Sequence, residues 1–237
     1  MNDPNELRAR YGLRPLPPGV GKIADLVKEK QSASMDRLTK IIGADSMMTQ
    51  RLVTMAFPKV AARTGATVQS ATSRLGVNRI ILVIVGDILK EAVTETFETM
   101  VSIPLQMDDL TEMPISPPGQ LTGSVKFTGK AHGQVTLGFS RNLTTLVATR
   151  LTGGNLDDEY PEEILRDAIG EIVNIVTGNL QSRLQDAGLP SEVSVPEVTR
   201  PSGFPNDTIP GGSSERFFFH QGSNNLTVNL SIAPFPS

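Results

Sequence analysis

The segment of this chain best suited to chemistry is Asp167-Ala-Ile-Gly-Glu171-Ile-Val-Asn174-Ile-Val-Thr-Gly178-Asn179. On a helix each residue advances by about 100°, which sets Glu171 near +40°, Asn174 near −20° and Gly178 near +20° of Asp167. Those four share one narrow stripe, while Ile169, Ile172, Val173, Val176 and Leu180 fall on the opposite arc. A carboxylate, an amide and a glycine are an unusual outer face. A neutral amide can accept a hydrogen bond from water while donating to a phosphoryl oxygen, and so aim a water without bringing negative charge to an anion. A carboxylate one turn earlier suits a lysine on a partner, and a glycine further along lets a partner's backbone approach. Read without its context, the same stripe is an ordinary solvated helix face.

The stripe needs a long helix to carry it, and the sequence predicts one from about 162 to 186, ended by Gly188. Around it the pattern predicts a hairpin of 121–127 and 134–139, a helix over 141–151 stopped by Gly153-Gly154, and strands at 193–198, 216–220 and 226–232. Residues 201–214 read as a loop. The second half is therefore α+β, an antiparallel sheet covered by helices. Phe217-Phe218-Phe219 reads as a strand buried on both faces or a sheet edge in a dimer.

The first half is different. Apolar residues recur at helical spacing in 20–27, 35–42 and 48–55, with Ser46 placed to cap and Pro58 to stop. A short helix from Thr67 stops near Gly76, and a long one spans about 78–100. The chain carries 22 Lys and Arg against 25 Asp and Glu, a net charge of −3. The balance is +7 over residues 1–79 (13 basic, 6 acidic) and −7 over 101–237 (8 basic, 15 acidic). That asymmetry makes two units the first expectation, a helical one and an α+β one. The basic unit suits an acidic partner or is a solvated helical surface. No basic run interleaves with aromatics, which argues against nucleic acid.

With no cysteine, disulfides and thiolate chemistry are excluded. Two histidines, His132 and His220, lie far apart without a carboxylate motif, so no metal site is expected. The start MNDPNELRARYGL has charges where a signal segment is apolar, and the apolar run 80–85 is too short to span a bilayer. A cytoplasmic protein is expected.

The run Asp167-x-x-x-Glu171-x-x-Asn174, with Gly178 and then Pro196-Glu-Val after the long helix, resembles the signature of the CheC/CheX phosphatases; Ala168-Ile-Gly-Glu171 is typical of the CheX branch. Twenty-one residues separate Asn174 from Pro196, one fewer than in the CheC pattern. The resemblance covers about residues 87–234, and with it the expected division is a polar segment at 1–19, a helical unit at 20–85 and an α+β domain at 86–237. It implies an α+β fold and hydrolysis of the phosphoaspartate of a CheY-type receiver. Asn174 would orient the attacking water, Glu171 would engage the receiver's lysine, and Asp167, Gly178 and Pro196 would support or contact the partner. No cofactor is implied in this chain, the Mg²⁺ belonging to the receiver, and a homodimer is implied. The alternative is an adaptor that binds a receiver or motility component without hydrolysis. A weaker echo, Asp87-x-x-x-Glu91-x-x-Thr94, has Thr94 in place of the amide and Glu98 in place of Gly178, and reads as a degenerate second site. Residues 13–90, with Leu16-Pro-Pro18, Ile41-Ile-Gly-Ala-Asp45 and Ser70-Ala-Thr-Ser-Arg-Leu-Gly76, are similar to the opening of the HDOD domain without its later helices, which implies a truncated, non-catalytic appendage.

Overall fold

A computed structural model describes residues 35–44, 46–59, 65–108, 121–201 and 209–234; the expectations for residues 1–34 lie outside them. Three helices come first, α1 (Met35–Gly43), α2 (Ser46–Ala56) and α3 (Val68–Val101). Thr67 and Ser70 cap α3 reciprocally, each side chain accepting from the other's backbone N–H. Gly76, at φ 71°, kinks α3 where the sequence predicts one helix to stop and the next to begin. That conformation is open to glycine and costly for residues with a Cβ.

The α+β part follows as β1 (Gln106–Asp108), β2 (Leu121–Gly129), β3 (Gly133–Phe139), α4 (Arg141–Thr152), α5 (Glu162–Asp186), β4 (Ser191–Val193), β5 (Glu197–Thr199), β6 (Ser213–Gln221) and β7 (Asn224–Ile232). All pairings are antiparallel, in the order β1-β6-β7-β3-β2-β4, with β5 also on β2. One sheet face carries Val125, Phe127, Leu137, Phe139, Val228 and Leu230, all buried in one apolar cluster with α3, α4 and α5. Phe97 of α3 stacks on Phe139 at 6.3 Å between ring centroids. The other face is polar: Ser124 bonds Thr136 at 3.1 Å, Thr122 bonds Thr199 at 3.0 Å, and Asn229 donates to Ser231 at 3.3 Å.

Three strand expectations change. The predicted strand at 193–198 is two short strands, because β4 and β5 meet β2 in registers one residue apart. Ser194, Val195 and Pro196 thus face only Val125 and Lys126. That is a β-bulge, and Pro196, lacking an N–H, fits it better than a regular ladder. Ser213 and Ser214, read as loop, begin β6. The short strand β1 was missed; it covers the outer edge of β6, so Phe217–Phe219 is no sheet edge but is buried on both faces.

α1 and α2 pack on α3. Ile42, Met48 and Leu52 belong to the same apolar cluster as the sheet, and Thr39 bonds Thr72 at 3.0 Å. α3 continues as helix through residues 85 and 86, and residues 80–85 are all buried.

Candidate active site

α5 begins after Pro161 with Glu162 and Glu163 in its first turn, where carboxylates meet the positive end of the helix dipole. Its apolar arc, Ile169, Ile172, Val173, Val176 and Leu180, is buried. Gly123 of β2 lets it settle close: a Cβ there would lie 2.5 Å from Val173. The helix is therefore held with its opposite face outward.

That outward face is the stripe. Asp167, Glu171, Asn174 and Gly178 are all exposed. Among the described residues no partner engages the carboxylates of Asp167 and Glu171 or the side-chain amide of Asn174. A Cβ on Gly178 would meet nothing within 4 Å, so nothing in the chain's own packing requires that glycine. Thr177, in the turn that holds Asn174, is buried and returns its hydroxyl to the carbonyls of Val173 (2.8 Å) and Asn174 (3.2 Å).

The phase of α5 is locked by polar ties on its other sides. Arg183 is buried and donates to Glu91 at 3.0 Å and to Glu95, both on α3. Asn179 donates to the Thr96 hydroxyl at 3.1 Å. Toward the sheet edge, Arg166 donates to the Val198 carbonyl (2.8 Å) and Gln181 to the Ser191 carbonyl (2.9 Å). Arg200, just past β5, forks onto Glu162 at 2.6 and 3.2 Å, and Arg166 reaches the same carboxylate at 3.1 Å. The Arg200 hydrogen bond is the main reason Glu162 titrates below its ordinary range. Sequence reading singled out none of these ties: long-range pairs leave no periodic trace in a single chain.

Pro196 is half-buried in the bulge beside α5. The residues of the second stripe are placed differently. Asp87 pairs with Arg51 of α2 and with Lys90 (3.3 Å), Glu91 is bound by Arg183, and Thr94 is half-buried. Arg51 also reaches Glu215 of β6 at 3.5 Å, and burial is the chief cause lowering its pKa. The second stripe thus faces cations of its own chain, and the two stripes are not brought together into one site.

His132 is exposed in the β2–β3 turn and His220 lies in β6. Among the described residues no group of three or more His, Asp and Glu could hold a metal ion, and no helix is long and apolar enough to cross a membrane.

Residues 121–219 match the family model described as chemotaxis phosphatase CheX. That span holds the α5 stripe, the bulge, four whole strands of the sheet and most of β6. The fold is similar to that of the chemotaxis protein CheX from Vibrio vulnificus (TM-score 0.54, 19% identity, covering 63% of this chain and 96% of that one). It is likewise similar to a chemotaxis protein CheX from Desulfovibrio desulfuricans (TM-score 0.55, 19% identity, 63% and 99%). A third similar structure is CheX from Borrelia burgdorferi, solved as a CheX–CheY–BeF3–Mg²⁺ complex (TM-score 0.52, 18% identity, 62% and 97%). No curated relative matches the sequence. At these identities the structural likeness speaks for a CheX-like fold, in agreement with the resemblance drawn from residues 167–198.

Proposed function

We propose that this protein is a CheX-like phosphatase that hydrolyses the phosphoaspartate of a CheY-type receiver domain, with Glu171 and Asn174 as its catalytic pair. One observation carries the reading. The carboxylate and the amide stand one turn apart on the outer face of a helix whose other faces are all anchored, and neither side chain is spent on the fold. The anchored backbone fixes where both side chains start, so docking has only their own rotamers to order.

In the proposed reaction Glu171 accepts a hydrogen bond from the receiver's lysine and sets the stripe over the acyl phosphate. The Asn174 amide accepts from the attacking water through its oxygen and donates to a phosphoryl oxygen through its nitrogen. Water oxygen bonds to phosphorus as the phosphorus–oxygen bond to the aspartate breaks. The carboxylate leaves with the electron pair and both water hydrogens leave on the phosphate. An amide suits this place because a carboxylate there would repel the phosphoryl group. The receiver supplies Mg²⁺, and Asp167 and Gly178 border the contact. A homodimer is proposed alongside, to be tested by light scattering at micromolar concentration.

The test is phosphate release from a phosphorylated CheY receiver. Wild type is expected to accelerate it, and Asn174→Ala to lower the accelerated rate by about 100-fold, the scale for removing one positioned hydrogen-bonding group. Phosphorylation-dependent binding without acceleration by wild type would overturn the enzyme reading and leave an adaptor.

A further inference from the structure

Val195 is 88% exposed, the most exposed large apolar side chain among the described residues. Its place in the fold can be derived from two ties. Arg166 and Gln181 of α5 hold the carbonyls of Val198 and Ser191, so the edge strand runs antiparallel to the helix. The helix between those ties covers fifteen residues, about 22 Å at 1.5 Å each. The strand between them spans six steps of β2, from Gly129 to Gly123, because the bulge adds a residue without adding length, about 20 Å at 3.3 Å each. The two tracks keep pace, and Ser194–Pro196 come abreast of the turn that carries Glu171 and Asn174. Angle agrees with level. Gly170, whose Cβ position is 3.7 Å from Val198, is only about 40° around the helix from Asn174. The bulge is therefore the rim of the stripe on the sheet side.

The bulge holds Val195 outward. Ser194 keeps the ladder on both sides, its N–H donating to the Lys126 carbonyl (2.8 Å) and its hydroxyl accepting from the Lys126 N–H (3.1 Å). Protection of an open sheet edge accounts for a bulge, for Pro196 and for the exposed Glu192 and Glu197. It asks for charge at the tip as well. Valine at the tip runs the other way, since its burial contributes nothing to this fold.

We propose that Val195 is a docking anchor of this site: an apolar side chain that buries against the receiver surface next to the phosphoaspartate while Glu171 meets the lysine. This rests on the receiver-phosphatase reading. The surroundings fit such a partner, because Asp167, Glu171, Glu192 and Glu197 are exposed carboxylates suited to a cationic centre, with the exposed Val195 on the same side of the sheet edge.

The test titrates the full chain with a CheY receiver activated by beryllofluoride and Mg²⁺, which reads docking without turnover. Val195→Asp is expected to weaken binding by at least ~10-fold, the scale of a hot-spot residue. Val195→Ile is expected to stay within about threefold of wild type. In turnover, Val195→Asp raises KM and leaves kcat, the split that separates docking from chemistry. An unchanged unfolding midpoint in Val195→Asp shows that the fold is intact. Affinity of Val195→Asp equal to wild type overturns the proposal, even if Asn174→Ala has lost turnover and the phosphatase reading stands. Val195-dependent binding without acceleration by wild type overturns the phosphatase reading and keeps the anchor.

Discussion

α3 and α5 carry the same acidic spacing and have become opposite kinds of surface. On α5, Asp167, Glu171 and Asn174 face solvent with their side chains uncommitted. On α3, Asp87 is held by Arg51 and Lys90, and Glu91 by Arg183. The relation is one-sided: α5 sends an arginine into the stripe of α3, while among the described residues no cation of α3 reaches the stripe of α5. A pair of carboxylates on a helix is thus a site or a strut according to whether the chain's own cations are within reach. Arg183 joins both roles, since it fills the α3 stripe and fixes the phase in which α5 presents its own.

The comparison is broken most directly by exchanging the amide. Asn174→Ala is expected to reduce phosphate release by about 100-fold. The reverse exchange, Thr94→Asn with Glu98→Gly on α3, is expected to add no second activity in that background. Release restored by the α3 pair would show that the cations around Asp87 and Glu91 do not close that stripe.

Arg183→Met comes next. It leaves Glu91 and Glu95 facing each other at a largely buried position without their cation. A loss of about 3 kcal/mol in denaturant unfolding is expected, toward the lower end for breaking a buried pair because Glu91 is partly exposed. A change under about 0.5 kcal/mol, the level of an ordinary surface substitution, would show that apolar packing alone holds α5 to α3.

Gly178→Ala separates fold from docking on α5. Alanine has room there and is the better helix former, so unfolding should become harder by about 0.5–1 kcal/mol. If the proposed docking brings a partner's backbone close at that glycine, affinity for the activated receiver should fall. A gain in stability with no loss of affinity would remove Gly178 from the contact.

The smallest effect concerns the half-exposed carboxylate at the start of α5. The Arg200 hydrogen bond depresses the Glu162 pKa, so its contribution is present above the unfolded value and is lost as pH falls through the lower folded one. Since both partners are well exposed, Glu162→Gln is expected to cost under about 1 kcal/mol at neutral pH and to flatten the acid limb of stability slightly.

Much of the site's framework was legible. The bounds of α5, the stop at Gly153, the kink near Gly76 and the outward stripe all follow from local rules: helical period, glycine backbone freedom and caps. What was not legible involves partners distant in sequence. The alternation of 193–198 reads as one strand because nothing within those six residues reports that β2 pairs with them in two registers. Arg183 on α5 and Glu91 on α3 are 92 positions apart, and their pairing needed the two helices side by side.

The sequence by itself therefore determined which residues share a helix face and what chemistry that face could support, since angular phase depends only on spacing along one element. Tertiary structure alone decided that one acidic stripe stays open while the other is neutralised by Arg51, Lys90 and Arg183, and that the bulge holding Val195 comes level with the turn of Asn174. Those outcomes depend on which cations and strand registers packing brings within a few ångströms.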